Sequence, residues 1–249
     1  MKYFKHLLFL TLIFSLIIFN NCGTNSAENY YNKGIIKADL EDYYGARDDF
    51  AKAIKIDPNY ALAYVSRAEV NYIMVDLYRS NYLELVMDDL NKAIEIDPDY
   101  ALAYLNRGSI KADYGNYYVA IADFTKAIEI NANYADAYIS RGSAKYELKD
   151  INGAIADFTK AIEIDPKNAK PYYYRGNIKS SDLTDNYGAI SDFTEAIKID
   201  PNYAFAYNNR GSIKYRLGDI DGSLSDYTKV IEIDSNYTDA YISRGSAKY

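Results

Sequence analysis

The sequence contains one cysteine, one histidine and no tryptophan in 249 residues. With Cys22 alone, no disulfide can close within the chain, and Cys22 and His6 cannot build a Cys/His metal cluster. Neither a Ser-His-Asp nor a Cys-His site can be assembled when the single histidine sits in the first few residues. Positive charge is also in short supply. Lys and Arg number 28 against 35 Asp and Glu, and the formal net charge is -7. Phosphate-backbone binding needs clustered Lys and Arg, so no nucleic-acid partner is expected. Disorder is excluded by a hydrophobic fraction of 49%. Proline is scarce, at 5 residues, whereas tyrosine is abundant, at 29.

Long apolar runs are absent with one exception, Leu7 to Phe19, which is broken only by Thr11 and Ser15. Lys2 and Lys5 precede it and "NNCG" follows it. The run has the size of a signal-peptide core and is short for a membrane span. The arrangement resembles a bacterial lipoprotein signal. That resemblance implies that residues 1–21 are removed and that Cys22 carries a lipid anchor to the membrane. Phe19 and Asn21 depart from the usual box, which has Leu and a small residue in those places. An uncleaved anchor or secretion with cleavage near "TNSA" remain as alternatives, and all three place the rest of the chain outside the cytoplasm. Loss of residues 1–21 removes two lysines and no acid, so the mature chain is more acidic still.

From residue 27 the chain copies itself. Blocks cover 27–60, 61–100, 101–134, 135–168, 169–203 and 204–237, with a partial seventh at 238–249; residues 22–26 are a short linker. The common length is 34, with six extra residues in the second block and one in the fifth. Position 4 of every block is Tyr: Tyr30, Tyr64, Tyr104, Tyr138, Tyr172, Tyr207 and Tyr241. Position 8 is Gly or Ala, position 20 is small, position 24 is Phe, Leu or Tyr, position 27 is Ala or Val, and position 32 is mostly Pro. Positions 4 and 8 share one helical face, as do 20, 24 and 27. Small residues let two helices approach while the rings fill the space beside them. Pro at position 32 ends the second helix.

In these columns the chain resembles the tetratricopeptide repeat family, whose pattern has aromatics at 4 and 24, small residues at 8, 20 and 27, and Pro at 32. The resemblance covers residues 27–249. It implies an all-α, right-handed α-solenoid of antiparallel helix pairs, six full repeats and a terminal helix, with no cofactor, no metal and no catalytic residue. The last eleven residues, "DAYISRGSAKY", repeat 136–146, where the chain continues into a second helix. The final block is expected to be either a lone capping helix or the remnant of a longer array.

Three columns depart from the family. Position 7 is Lys33, then Arg67, Arg107, Arg141, Arg175, Arg210 and Arg244; position 11 is Lys in six blocks; position 23 is Asp49, Asp89, Asp123, Asp157, Asp192 and Asp226. Because they repeat together they are expected to be structural ion pairs, not a basic ladder for an acidic ligand. The adjacent acids at 48–49 and 88–89 point about 100° apart on a helix and make no catalytic pair. The six extra residues near "MVDLYRSNYLE" either lengthen the helices or enlarge the loop between them.

The resemblance also implies a concave face lined by positions 2, 5, 9, 12 and 13. Here that face is expected to hold Tyr31, Leu62, Val65, Tyr72, Leu102, Leu105, Ile139, Tyr146, Tyr173, Asn177, Phe205, Asn208 and Tyr215, with small notches at Ser109, Ser143 and Ser212. Such a groove suits a protein or peptide partner. The basic clamp that some chaperone-binding members use is not matched: its places hold Tyr31, Ile35, Ser66, Leu102 and Asn106. Two expectations follow: an envelope-anchored scaffold that binds a partner's peptide or helix, or a protein that self-associates through its terminal helix.

Overall fold

The computed structural model describes residues 25–78 and 83–248, with backbone alone at 76–78. Residues 1–24, which include Cys22 and the stretch expected to be a signal, residues 79–82 and Tyr249 lie outside the described residues. Among the described residues there are thirteen helices and no strand: α1 (Ala27–Asp39), α2 (Tyr43–Ile56), α3 (Ala61–Tyr78), α4 (Leu83–Ile96), α5 (Ala101–Asp113), α6 (Tyr117–Ile130), α7 (Ala135–Glu147), α8 (Ile151–Ile164), α9 (Ala169–Ser181), α10 (Asn186–Ile199), α11 (Ala204–Arg216), α12 (Ile220–Ile233) and α13 (Thr238–Ser246). The fold is an all-α repeat solenoid. Odd-numbered helices open the blocks, and each from α1 to α11 packs on the even-numbered helix that follows.

The chain forms two compact units, which divide after Ala132. The first holds α1–α6 and the second α7–α13. Within each unit every second helix also packs on the first helix of the next repeat. Successive first helices touch as well, α1 with α3, α3 with α5, α7 with α9 and α9 with α11. The first helices of a unit therefore share one continuous face.

The packing follows from a size match. The ring or leucine at position 24 is the centre of each pair: Phe50, Leu90, Phe124, Phe158, Phe193 and Tyr227 are at most 3% exposed. A β-carbon at Gly34 would lie 2.5 Å from the Phe50 ring, and one at Gly108 would lie 2.7 Å from Phe124. At Gly34, Gly108 and Gly176 the facing ring leaves no room for a methyl group, and at Gly142 and Gly211 the fit is tight at 3.1 Å. The second repeat solves the same problem differently, with Ala68 opposite the slimmer Leu90, both buried.

The turns have a local logic too. Asp42, Asp150, Asp185 and Asp219 cap α2, α8, α10 and α12, each carboxylate accepting from the backbone N–H of a glycine three residues on. A β-carbon on any of those glycines, Gly45, Gly153, Gly188 or Gly222, would run into the capping carboxylate. The third repeat has Val119 at that place, and its Asn116 cap makes no side-chain bond. Second helices end at an extended residue such as Asp57, whose carboxylate accepts from Asn59 N–H at 3.0 Å. Asn131 stands at the same point with φ -133°, although Ala132 replaces the proline. The turn therefore forms without proline.

The extra residues of the second block lengthen a helix: α3 has 18 residues against 13 in α1 and α5. In the fifth block the single extra residue falls in the turn between α9 and α10. No helix among the described residues is long and apolar enough to cross a membrane.

Candidate functional site

The departing columns form one repeated set of contacts. Arg175 donates two hydrogen bonds to Asp192, at 2.7 and 3.0 Å, and Lys179 reaches the same carboxylate at 2.8 Å. The pairs Arg107–Asp123, Arg141–Asp157 and Arg210–Asp226 repeat this fork, with Lys111, Lys145 and Lys214 as third members. Each arginine also lies over the position-4 ring of its own helix, Arg107 at 5.5 Å from Tyr104 and Arg210 at 5.5 Å from Tyr207. The aspartates are buried, so the basic groups are committed to them and are no ladder for a ligand.

Two repeats vary the set, and their electrostatics diverge. Asn71 replaces the lysine in the second, and Asp89 is left with Arg67 at 2.6 and 2.9 Å. Burial pushes the Asp89 carboxyl up, and Arg67 offsets only part of this. In the first repeat Lys33 replaces the arginine, and Asp49 binds Lys37 at 2.5 Å and Lys52 at 2.8 Å. Burial pushes Asp49 up as well, but its hydrogen bonds to Lys37 and Lys52 outweigh that and hold the carboxyl below its usual range.

The sequence reading missed a further role of the arginine. Arg175 donates a third hydrogen bond, at 3.0 Å, to Thr159 on the preceding helix α8. Arg210 does the same to Thr194, and Arg107 to Asn91. These acceptors share position 25, so these three forks also tie their repeats to the ones before. A recurring Thr was the signal for it. A tyrosine at position 34 was a second unassigned column. Tyr60 lies 5.3 Å from Tyr31, and Tyr203 lies 5.0 Å from Tyr173.

That tyrosine contact explains a correction. Position 5 lies in the seam between repeats, under the position-34 ring and beside the position-24 ring; Tyr31 is 5.6 Å from Phe50 and Tyr173 is 5.9 Å from Phe193. The smaller side chains there sink out of reach. Val65, Leu105 and Ile139 are at most 7% exposed and offer no surface to a ligand. Tyr72 is buried too, its hydroxyl donating to Asp113 at 2.6 Å. Tyr31, Leu102, Tyr146, Tyr173, Asn177 and Asn208 are half-buried, and Phe205, Tyr215 and Leu62 are exposed.

The first-helix face is more polar than the apolar, aromatic groove the sequence suggested. Its rungs link one first helix to the next. In the first unit Ser66 donates to the Tyr31 hydroxyl at 3.4 Å, and Asn106 donates to Glu69 at 2.8 Å. In the second unit Asn209 donates to Asn177 at 2.8 Å, Tyr146 to Asp182 at 3.1 Å, and Arg216 to Ser180 at 3.0 Å. Burial pushes the Tyr31 phenol up to about 12 and the Glu69 carboxyl up to about 7. Ser109 and Ser143 are buried, whereas Ser212 is exposed. Among the described residues no group of acids, His or Cys is placed to hold a metal ion.

Comparison with known proteins agrees with this geometry. A tetratricopeptide repeat profile matches residues 27–60, 101–134 and 206–237, and a second TPR repeat profile matches 142–180. No curated protein sequence matches the chain. Among solved structures the chain is similar to YrrB, described as a TPR protein with an unusual peptide-binding site. The identity there is 22% and the TM-score 0.58, over 79% of this chain and 97% of that one. It is also similar to pilF of Pseudomonas aeruginosa, with 15% identity and a TM-score of 0.74 over 89% and 96% of the two chains. The APC/C Cut9-Hcn1 hetero-tetramer gives 16% identity and a TM-score of 0.73, over 90% of this chain and 43% of that one. At these identities the likeness is one of fold. The profiles together match more than half of the sequence, and the chain belongs to the tetratricopeptide repeat family.

Proposed function

We propose that this protein is an interaction scaffold of the bacterial cell envelope. It holds an extended peptide or a helix of a partner protein along the first-helix face of its units. Cys22, lipidated after loss of residues 1–21, tethers it outside the cytoplasm. One observation carries the binding reading. On the first-helix face of the first unit Tyr31 stays half-open and Leu62 exposed, and on that of the second unit Tyr146 and Tyr173 stay half-open and Phe205 and Tyr215 exposed. Such rings offer contact area with few rotors and a hydrogen-bonding tip. The peptide-binding site described for YrrB is in keeping with it. The reading is one of binding without catalysis.

The test is a crosslinking pull-down from cell envelopes with the full chain as bait, against a bait carrying Leu62→Ser, Phe205→Ser and Tyr215→Ser. A discrete protein lost with the triple variant supports the reading, and equal recovery by both baits overturns it. Leu105 and Ile139 are unsuitable for that control, because they are buried and their replacement would disturb packing. The anchor is tested by labelling with an alkyne fatty acid: Cys22→Ser abolishes incorporation if the reading holds.

A second reading is self-association through α13. Gly245 has nothing within 4 Å of where a β-carbon would stand, whereas position 8 in the other repeats that carry glycine meets a ring. Tyr241 and Ile242 are 44% and 63% exposed. A molar mass that rises with concentration in light scattering, and falls back in Ile242→Ser, would favour this reading.

A further inference from the structure

We propose that Glu69 and Asn106 form a receptor for a positively charged group of the bound peptide, a lysine or arginine side chain. This rests on the reading that the first-helix face binds a peptide, and it names the chemistry that face selects.

Glu69 is the exception in its column. Position 9 of the other first helices is Ile35, Ser109, Ser143, Asn177, Ser212 or Ser246, all uncharged. Its carboxylate is half-buried on α3 and accepts one hydrogen bond, from the Asn106 amide at 2.8 Å. Among the described residues no cation pairs with it. The bases of α1, α3 and α5 are spent elsewhere: Lys37 on Asp49, Arg67 on Asp89, and Arg107 and Lys111 on Asp123. Lys33 lies over the Tyr30 ring. The titratable group that faces Glu69 is Tyr31 on α1, whose phenol is held neutral by burial and, in smaller part, by the nearby carboxylate. Asp89 of α4 and Asp49 of α2 are already bound to their bases.

Asn106 supplies an independent observation. It is fully buried, it gives an N–H to Glu69, and its own carbonyl oxygen has no hydrogen-bond partner. A buried acceptor left unfilled is costly, and native structures hold few of them. The result is a carboxylate with a single donor, Asn106, beside a buried amide oxygen that has none. An ammonium or guanidinium group brings several donors and a positive charge to the half-open Glu69 carboxylate, which the buried Asn106 amide holds in place. The equivalent rung in the second unit shows what is special here. Asn209 donates to Asn177 at the same 2.8 Å, but both partners are neutral. The chain thus places one carboxylate at a rung where its second unit uses an amide. The half-buried rings of Tyr31 and Tyr60 pack together beside this site and can cover the aliphatic stem of the incoming side chain.

The experiment measures binding of the full chain to two matched libraries of short peptides. One carries a fixed central lysine or arginine; the other carries norleucine or citrulline at that place. The parent is expected to prefer the charged library by roughly ten-fold or more. Glu69→Gln loses that preference and still binds the neutral library, and Glu69→Asp keeps part of it. In the parent the preference shrinks between about pH 8 and about pH 5, as the carboxyl takes up its proton. Equal binding of both libraries by the parent overturns this inference and leaves peptide binding standing. An unchanged preference in Glu69→Gln also overturns it. Failure of the parent to bind either library defeats the peptide reading and this inference with it. Thermal melts of each variant confirm that it is folded before it is compared.

Discussion

Arg175 on α9 grips Asp192 on α10 through two hydrogen bonds, at 2.7 and 3.0 Å, in a pair where the aspartate side chain is 5% exposed and the arginine 17%. The same arginine reaches Thr159 on α8 with a third N–H. One side chain thus closes its own repeat and fastens it to the previous one. Arginine suits this task because its planar fork carries five donors, which a lysine cannot reproduce.

Asp192→Ala removes the carboxylate and leaves Arg175 and Lys179 beside each other in a poorly solvated place. Breaking one partner of a buried pair costs on the order of 3 kcal/mol, well beyond the loss of a surface pair. Urea melts of variant and parent measure it, and coincident melts would show the pair to be inert.

Thr159→Val keeps the shape and deletes the acceptor for Arg175. A lost hydrogen bond to a charged donor costs about 1 to 2 kcal/mol. The loss falls between repeats, so hydrogen exchange should quicken at the α8–α9 junction before it does within α10.

Gly34→Ala would normally strengthen a helix by about 1 kcal/mol. Here it should destabilise, because the new methyl meets the Phe50 ring at 2.5 Å. Adding Phe50→Leu recreates the Ala68–Leu90 pair of the second repeat and relieves the clash. Thermal melts of both single variants and the double variant should show a favourable coupling of about 1 kcal/mol or more.

Glu69 makes stability depend on pH in the unusual direction for an acid. Its carboxyl titrates at about 7 in the fold, against an ordinary value of 4.5. The native state therefore binds more protons than the unfolded chain between those values, and stability falls as pH rises through that window. Glu69→Gln should match the parent near the lower end and melt at a higher temperature than the parent above the upper end. Melting curves across the range check the sign.

How far the sequence could be read depends on how often a feature recurs. Tyr at 4, small residues at 8, the ring at 24 and the paired Arg and Asp columns repeat block after block, and the first helices begin at Ala27, Ala61, Ala101, Ala135, Ala169 and Ala204. A contact made the same way many times leaves a column. The ligand face is harder to read. Position 5 carries Tyr31, Val65, Leu105, Ile139, Tyr173, Asn208 and Ile242, all but Asn208 apolar or aromatic and all plausible lining. Whether such a residue faces a ligand or sinks into the seam depends on how closely the next repeat approaches, which periodicity does not encode. Position 25 mixes Asn91 with Thr159 and Thr194, so its shared role as an acceptor is hidden by a change of chemistry. Glu69 occurs once, and its partner Asn106 lies 37 residues away. A single residue leaves no column, and only the fold brings the two together.

The most direct test of the account is site-specific photocrosslinking in cells. A photoreactive side chain is placed at Leu62 or Phe205 on first helices, or at Tyr118 or Tyr187, each 78% exposed on second helices. The account predicts a discrete partner adduct from Leu62 or Phe205 and none from Tyr118 or Tyr187. Adducts from Tyr118 and Tyr187 alone would move binding to the second-helix side and contradict the first-helix face as the site.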